Sequence, residues 1–166
     1  LCVHALQPQP GETLLDLCAA PGGKSILAAQ MMGCKGKVLS FDLHPHRADL
    51  IRKSAEKTGV TNLETAAADS TVLNESLRNS ADAIICDVPC SGIGIIRKKP
   101  DIRYKKQEDA DGLPKIQLQI LLNALDYLKP GGRVVYSTCT VLEEENQCVL
   151  REALAIRKDC ELEEFV

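Results

Sequence analysis

Two cysteines stand where a thiol can act on a ligand. One closes the run Asp87-Val88-Pro89-Cys90-Ser91-Gly92, directly after the apolar stretch Asp82–Asp87. The other lies in Ser137-Thr138-Cys139-Thr140, at the end of Arg133–Thr138. Both stretches read as strands. The two cysteines therefore fall in loops beyond strands, not inside strands, where free cysteine packs as a small core residue. Thr140 and Glu143 form the pattern T-x-x-E, which predicts a capping box and a helix starting immediately after Cys139. The positive end of a helix lowers a neighbouring thiol's pKa from about 8.5 and favours the nucleophilic thiolate. The other cysteines, at 2, 18, 34, 86, 148 and 160, read as inert. Cys18 and Cys86 pack at strand ends, with Cys18 lending backbone to a ligand. No C-x-x-C occurs and no histidine flanks a cysteine at finger spacing, so no metal site is expected. Free thiols in a reducing cytoplasm are the simplest account.

A second constellation is the turn Asp16-Leu17-Cys18-Ala19-Ala20-Pro21-Gly22-Gly23-Lys24-Ser25. A strand leads into small residues and then a helix, whose free N–H groups suit an anion. Lys24-Ser25 resembles the end of a phosphate loop, but Cys18 stands where that loop needs its first glycine. Asp42 follows about twenty residues later at a strand end, where an acid can grip two ribose hydroxyls or cap a helix. Asp69, after a third strand, either accepts from an adenine amino group or caps a turn. The implied ligand is adenosine joined to a carboxylate-bearing group without a phosphate chain. S-adenosylmethionine fits that description.

These loops need a scaffold. Strands are predicted at Thr13–Cys18, Lys37–Asp42, Asn62–Ala66, Asp82–Asp87 and Arg133–Thr138, with a sixth starting in Cys160–Val166. Helices are predicted at Lys24–Met32, Pro45–Thr58, Leu113–Leu128 and Glu143–Arg157. Apolar strands alternating with helices imply an α/β fold, a mostly parallel sheet with helices on both faces. Ligands then bind beyond the carboxyl ends of the strands, where all the residues above fall. At 166 residues the chain is expected to be one domain. No apolar run reaches the roughly 18 residues a membrane span needs. The start mixes Cys2, His4, Gln7 and two prolines, unlike a signal peptide. With 3% aromatics and no tryptophan, a broad platform for stacking single-stranded bases is not expected. The net charge is −3, yet residues 97–106 (RKKPDIRYKK) carry +5 and the remainder −8. Arg97, Lys98, Lys99, Arg103, Lys105 and Lys106 form either a solvated loop or a phosphate-binding patch.

LDLCAAPGGKS, DVPCSG and STCT, in this order, resemble the bacterial RsmB/Sun (Fmu) type of ribosomal RNA cytosine-5 methyltransferase. KKPDIR, QLQILLNAL, LKPGGRVVYSTC and Glu145-Asn146 extend the resemblance over nearly the whole chain. It implies a Rossmann-like S-adenosylmethionine-dependent methyltransferase fold. It implies that Cys139 is the nucleophile and that Cys90 assists product release. It also implies a cofactor site formed by Cys18, Ala19, Ala20, Pro21, Gly22, Gly23, Lys24, Asp42, Asp69 and Asp87, with Arg47 beside them. Val88 stands where the family usually has alanine. The upstream RNA-binding domains of the family are expected to be absent from this chain, and its terminal strand hairpin incomplete. The expected partner is RNA, specifically 16S ribosomal RNA, bound by a monomer in the cytoplasm.

Carbon-5 of cytosine is too poor a nucleophile to take a methyl group unaided. A thiolate adding to carbon-6 divides one hard step into easier ones. The addition is assigned to Cys139. Asp87 is expected to hold a proton at ring nitrogen-3, its pKa raised by burial. Lys24 either holds the cofactor carboxylate or polarises the base. Cys90 acts as the base or helps expel the enzyme thiol. Tyr104 either stacks on a base or packs. A DNA cytosine-5 enzyme would use the proline-cysteine as nucleophile and would not need Cys139. An adenine-N6 enzyme would want an aromatic after Asp-Pro-Pro. A small-molecule methyltransferase needs neither the cysteine pair nor the basic segment. The alternative from another class is a non-catalytic RNA-binding or assembly module that keeps the fold.

Overall fold

The computed structural model describes residues 1–104 and 112–163. Five strands form one sheet: β1 (Thr13–Asp16), β2 (Lys37–Asp42), β3 (Leu63–Ala67), β4 (Ala81–Asp87) and β5 (Leu128–Ser137). Their order is β3-β2-β1-β4-β5, and every pairing is parallel. The helices are α1 (Cys2–Leu6), α2 (Gly23–Met31), α3 (Pro45–Thr58), α4 (Leu113–Tyr127) and α5 (Gln147–Ile156). This is the Rossmann-like arrangement expected.

Both faces of the sheet are covered, and strand alternation explains how. Leu14 and Ile85 point into one core with Val3, Leu6, Ile26, Ala28, Met32 and Val38. Their neighbours Leu15 and Ile84 point into the other, with Leu17, Cys86, Ile120, Ala124 and Tyr127. Continuous apolar strands are what a doubly covered parallel sheet requires. In α4 the buried residues Gln117, Ile120, Leu121 and Ala124 recur at helical spacing, so one stripe faces the sheet. Pro45 in the first turn and Gly59 at φ 70° bound α3 as expected. Strand order reverses direction from β1, between β2 on one side and β4 on the other. The loops after β1, β2, β4 and β5 therefore share one edge, the place for a ligand in such sheets.

Three expectations need correction. The segment after Cys139 is not one helix: a short 3-10 helix at Glu143–Glu145 is separated from α5 by Asn146, at φ −119° and ψ −93°. The Thr140–Glu143 capping box does not form, because the Thr140 hydroxyl oxygen accepts from Leu142 N–H and from the Ser91 hydroxyl. No α-helix N-terminus therefore adjoins Cys139. Nor is there a strand at residues 160–163; the rest of that expected strand, 164–166, lies outside the described residues. No helix among the described residues is long and apolar enough to cross a membrane.

Candidate active site

Pairing of β4 with β5 brings the two cysteine loops together. Asp87 is opposite Ser137 in register, so the residues that follow each strand leave the sheet side by side. Cys90 Sγ and Cys139 Sγ are 3.0 Å apart, and Cys139 N–H donates to Cys90 Sγ at 3.2 Å. Gly94 N–H donates to the Cys139 carbonyl at 3.1 Å. A Cβ at Gly94 would meet that oxygen at 2.9 Å, so only glycine allows this approach. Cys139 is exposed and Cys90 half-buried. Burial, and then the bond to Cys139, push the Cys90 thiol up to about 11. Cys90 is therefore protonated at neutral pH. The two sulfurs line a pocket of about 330 Å³ with Ser91, Gly92, Ile95, Lys99, Asp101 and Ile102. That volume is in the range of small-ligand sites.

Lys24 and Asp87 also meet. Lys24 Nζ donates to Asp87 Oδ2 at 2.6 Å, and Ser137 Oγ donates to Oδ1 at 2.6 Å. Burial pulls the Lys24 ammonium down, but the Asp87 hydrogen bond and charge more than offset it and hold it above its ordinary value. Asp87 is not the buried acid expected: its side chain is 33% exposed and paired with a cation. Asp16 is fully buried, at 0% exposure. Its Oδ2 accepts from Ser25 Oγ at 2.6 Å, and its Oδ1 has no partner among the described residues. Burial, partly offset by the Ser25 bond, raises Asp16 to about 7.

The sign of the resulting pH effect is fixed by linkage. Between the unfolded carboxyl value near 3.8 and the folded value near 7, the folded state binds the extra proton. Stability from this group is therefore present in acid and lost as pH rises through 7, by on the order of 4 kcal/mol. Asp16→Asn cannot ionise and keeps an acceptor for Ser25. Urea unfolding is expected to find the variant gaining on the wild type between pH 5 and pH 8. Parallel pH profiles would count against the assignment.

The turn between β1 and α2 is built for close approach. Gly22 has φ 104°, and a Cβ there would lie 3.0 Å from Ile51 Cγ2 on α3. The first turn of α2 carries no acidic residue and its N-cap makes no side-chain bond, leaving N–H groups free. Asp42, 3% exposed, accepts from Ala20 N–H and His44 N–H, both at 3.3 Å. Arg47 Nε is 3.5 Å from Asp42 Oδ1, and its guanidinium donates to the Ala20 carbonyl at 3.3 Å. The turn, Asp42 and Arg47 thus form one unit. Cys18 is pushed up to about 12 by burial and the nearby acids Asp16, Asp42 and Asp87, consistent with an inert thiol. Asp69 is exposed and accepts from the Thr71 N–H at 2.9 Å and its hydroxyl at 2.6 Å, so it caps a turn. Arg97, Lys98, Lys99 and Arg103 are exposed; Lys105 and Lys106 lie outside the described residues. Tyr104 is 86% exposed, so it is not packed among the described residues.

Ser137 on Asp87, Ser25 on Asp16, and Gln117 and Glu145 behind the Cys90 loop all fall within the motifs above, but the sequence assigns none of them a role. Among the described residues, no group of three or more His, Cys, Asp or Glu is placed to hold a metal ion.

Comparison with known proteins places this geometry. Residues 3–166 match the family described as 16S rRNA methyltransferase RsmB/F. The chain is 44% identical over 163 residues to the probable ribosomal RNA small subunit methyltransferase B of Bacillus subtilis (strain 168), covering 97% of this chain and 36% of that protein. It is 38% identical over 167 residues to the 26S rRNA (cytosine-C(5))-methyltransferase nsun-1 of Caenorhabditis elegans, covering 98% of this chain and 25% of that protein. The crystal structure of NSun6 from Pyrococcus horikoshii with SFG superposes with a TM-score of 0.85 at 28% identity, covering 99% of this chain and 41% of that one. The chain thus spans about a third of the length of such relatives. It belongs to the RsmB/F family of 16S rRNA methyltransferases.

Proposed function

We propose that the protein transfers a methyl group from S-adenosylmethionine to carbon-5 of a cytosine in 16S ribosomal RNA, through a covalent bond between Cys139 and carbon-6. The observation that carries this reading is the 3.0 Å approach of the Cys90 and Cys139 sulfurs in one pocket. S-adenosylmethionine supplies the electrophilic methyl group, and the donor set fits it. Asp42 offers a carboxylate for two ribose hydroxyls, and the free N–H groups of α2 suit a carboxylate. Ala19–Gly23 keep the backbone open, and Arg47 braces Asp42 against the turn.

The chain's own groups account for the rest. Cys139 is the accessible thiol and adds to carbon-6, making carbon-5 electron-rich. Lys24 and Asp87 act as a pair on the ring's polar edge, Lys24 as the charged donor and Asp87 as the acceptor held by Ser137. Solvent water then takes the carbon-5 proton, the freed electron pair restores the carbon-5–carbon-6 double bond and expels Cys139 as thiolate, and the Cys90 thiol hydrogen-bonds the departing sulfur. The target base leaves its stack to enter, at a cost of a few kcal/mol. Arg97, Lys98, Lys99 and Arg103 hold flanking phosphates, with Lys105 and Lys106 continuing the segment. Residues 1–166 act as one catalytic domain, in the cytoplasm, as a monomer and without a metal.

The test is incubation with methyl-labelled cofactor and unmethylated 16S RNA, followed by nuclease digestion. Label is expected in 5-methylcytosine. Label in any other nucleoside, or none, rejects the reading. Calorimetry on Asp42→Ala checks the cofactor arm. Loss of charge-assisted bonds worth about 1.5–3 kcal/mol corresponds to roughly tenfold to hundredfold weaker binding. Unchanged affinity rejects the ribose contact.

A further inference from the structure

Glu145 is 2% exposed and lies behind the two thiols, in the short 3-10 helix that follows the Cys139 loop. Its Oε2 accepts from Ser91 N–H at 2.9 Å and from Gln117 Nε2 at 2.7 Å. The same Gln117 amide donates to the Pro89 carbonyl at 2.9 Å. Both neighbours of Cys90 are therefore tied to one carboxylate, Ser91 directly and Pro89 through Gln117. The Tyr136 hydroxyl donates to the Glu145 carbonyl at 2.7 Å, which fastens the same residue to β5, the strand that carries Cys139. The Ser91 hydroxyl donates to Thr140 Oγ1 at 2.8 Å, closing a loop-to-loop bridge. Among the described residues no cation pairs with Glu145. Its hydrogen bonds are what compensate its burial, so releasing them is costly. A buried acceptor of this kind holds a loop in one arrangement more firmly than an exposed one.

We propose that Glu145 is a positioning residue that fixes the Cys90 sulfur against that of Cys139, through the Ser91 amide and Gln117. The inference rests on the two thiols being the reacting pair in RNA methylation. It predicts that the acceptor oxygen matters, not the charge. Glutamine at 145 keeps a carbonyl with two lone pairs for both donors, whereas alanine leaves them orphaned.

The experiment compares Glu145→Ala, Glu145→Gln and wild type by two readouts. One is the iodoacetamide alkylation rate of Cys90, with exposed Cys148 as internal reference. The other is kcat and KM for methyl transfer. In Glu145→Ala, Cys90 is expected to alkylate at least about fivefold faster and kcat to fall about tenfold or more, with KM for the cofactor unchanged. Glu145→Gln is expected to restore both to within about threefold of wild type. Either readout at its wild-type value in folded Glu145→Ala overturns the proposal, as does failure of glutamine to rescue. Should Glu145→Ala not fold, Gln117→Ala decides by the same readouts. It keeps the carboxylate but frees the Pro89 carbonyl. Should the wild type transfer no methyl group, the RNA-methylation reading fails by itself, and alkylation alone decides whether Glu145 positions Cys90.

Discussion

Cys139→Ala is expected to lower methyl transfer to below about 10⁻⁴ of wild type, a barrier increase of about 5.5 kcal/mol. The size follows from what the sulfur supplies. Without addition at carbon-6, carbon-5 stays part of an aromatic ring and attacks the methyl group only weakly. Cys90 is the other thiol lining the pocket, and burial, the largest cause of its raised pKa, persists when Cys139 is replaced, so it stays protonated and cannot substitute. The fold should not suffer. Cys139 is exposed, and the backbone bond it accepts from Gly94 involves its carbonyl, which alanine retains. Cofactor affinity should survive as well, since the turn, Asp42 and Arg47 form a separate unit of the same edge. The check is a pair of measurements on one preparation: labelled-methyl incorporation into RNA, and calorimetric titration with S-adenosylmethionine. Turnover at the wild-type rate removes the nucleophile assignment. Loss of both activity and cofactor binding would mean that the substitution damaged the site as a whole.

The parts of this site visible in the sequence share one property: each lies in or just after a strand's carboxyl end, or in the first turn of the helix that follows it. Strand runs such as DAIICD and RVVYST can be recognised locally, and a parallel sheet sends their ends to one edge. Cys90, Cys139, Asp87, Lys24 and Asp42 could therefore be named together before any coordinates existed. The pairing of β4 with β5 then fixes how close the thiols come. What the sequence concealed depends on contacts between distant residues. Glu145 meets a backbone N–H 54 positions away, a contact that no local pattern reveals. The capping-box motif misled for the same reason: Ser91, 49 positions distant, occupies the Thr140 hydroxyl oxygen. Asn146 then takes over the local bonding, donating to the Thr140 and Leu142 carbonyls and accepting from Thr138, and the chain turns there before α5 begins. The burial expected of Asp87 is not met, and the acid that burial raises is Asp16. Asp16 ends the central strand β1 under α2, bonded to Ser25, and is sealed, whereas Asp87 at the end of β4 reaches water and Lys24.

The second large effect concerns the end of the cycle. Cys90→Ala is expected to leave addition and methyl transfer intact and to trap the enzyme on its product. Cys90 touches only one reacting atom, the sulfur of Cys139, at 3.0 Å. Its thiol, raised to about 11, still carries its proton at neutral pH and can hydrogen-bond a departing thiolate. Taking that donor away should slow release by about 10²–10⁴-fold, the usual contribution of a placed proton donor. The preceding steps keep their rates, so the Cys139–carbon-6 bond stops being transient. A protein–RNA species resistant to denaturant should then build up on gels, carrying the methyl label. It should need cofactor and vanish in the Cys90→Ala, Cys139→Ala double variant. If the trapped species instead forms with Cys139→Ala alone, the two sulfurs have exchanged roles and Cys90 makes the covalent bond. If neither variant accumulates it while both lose activity, Cys90 acts before the bond forms, and its contact with Cys139 serves addition instead of release.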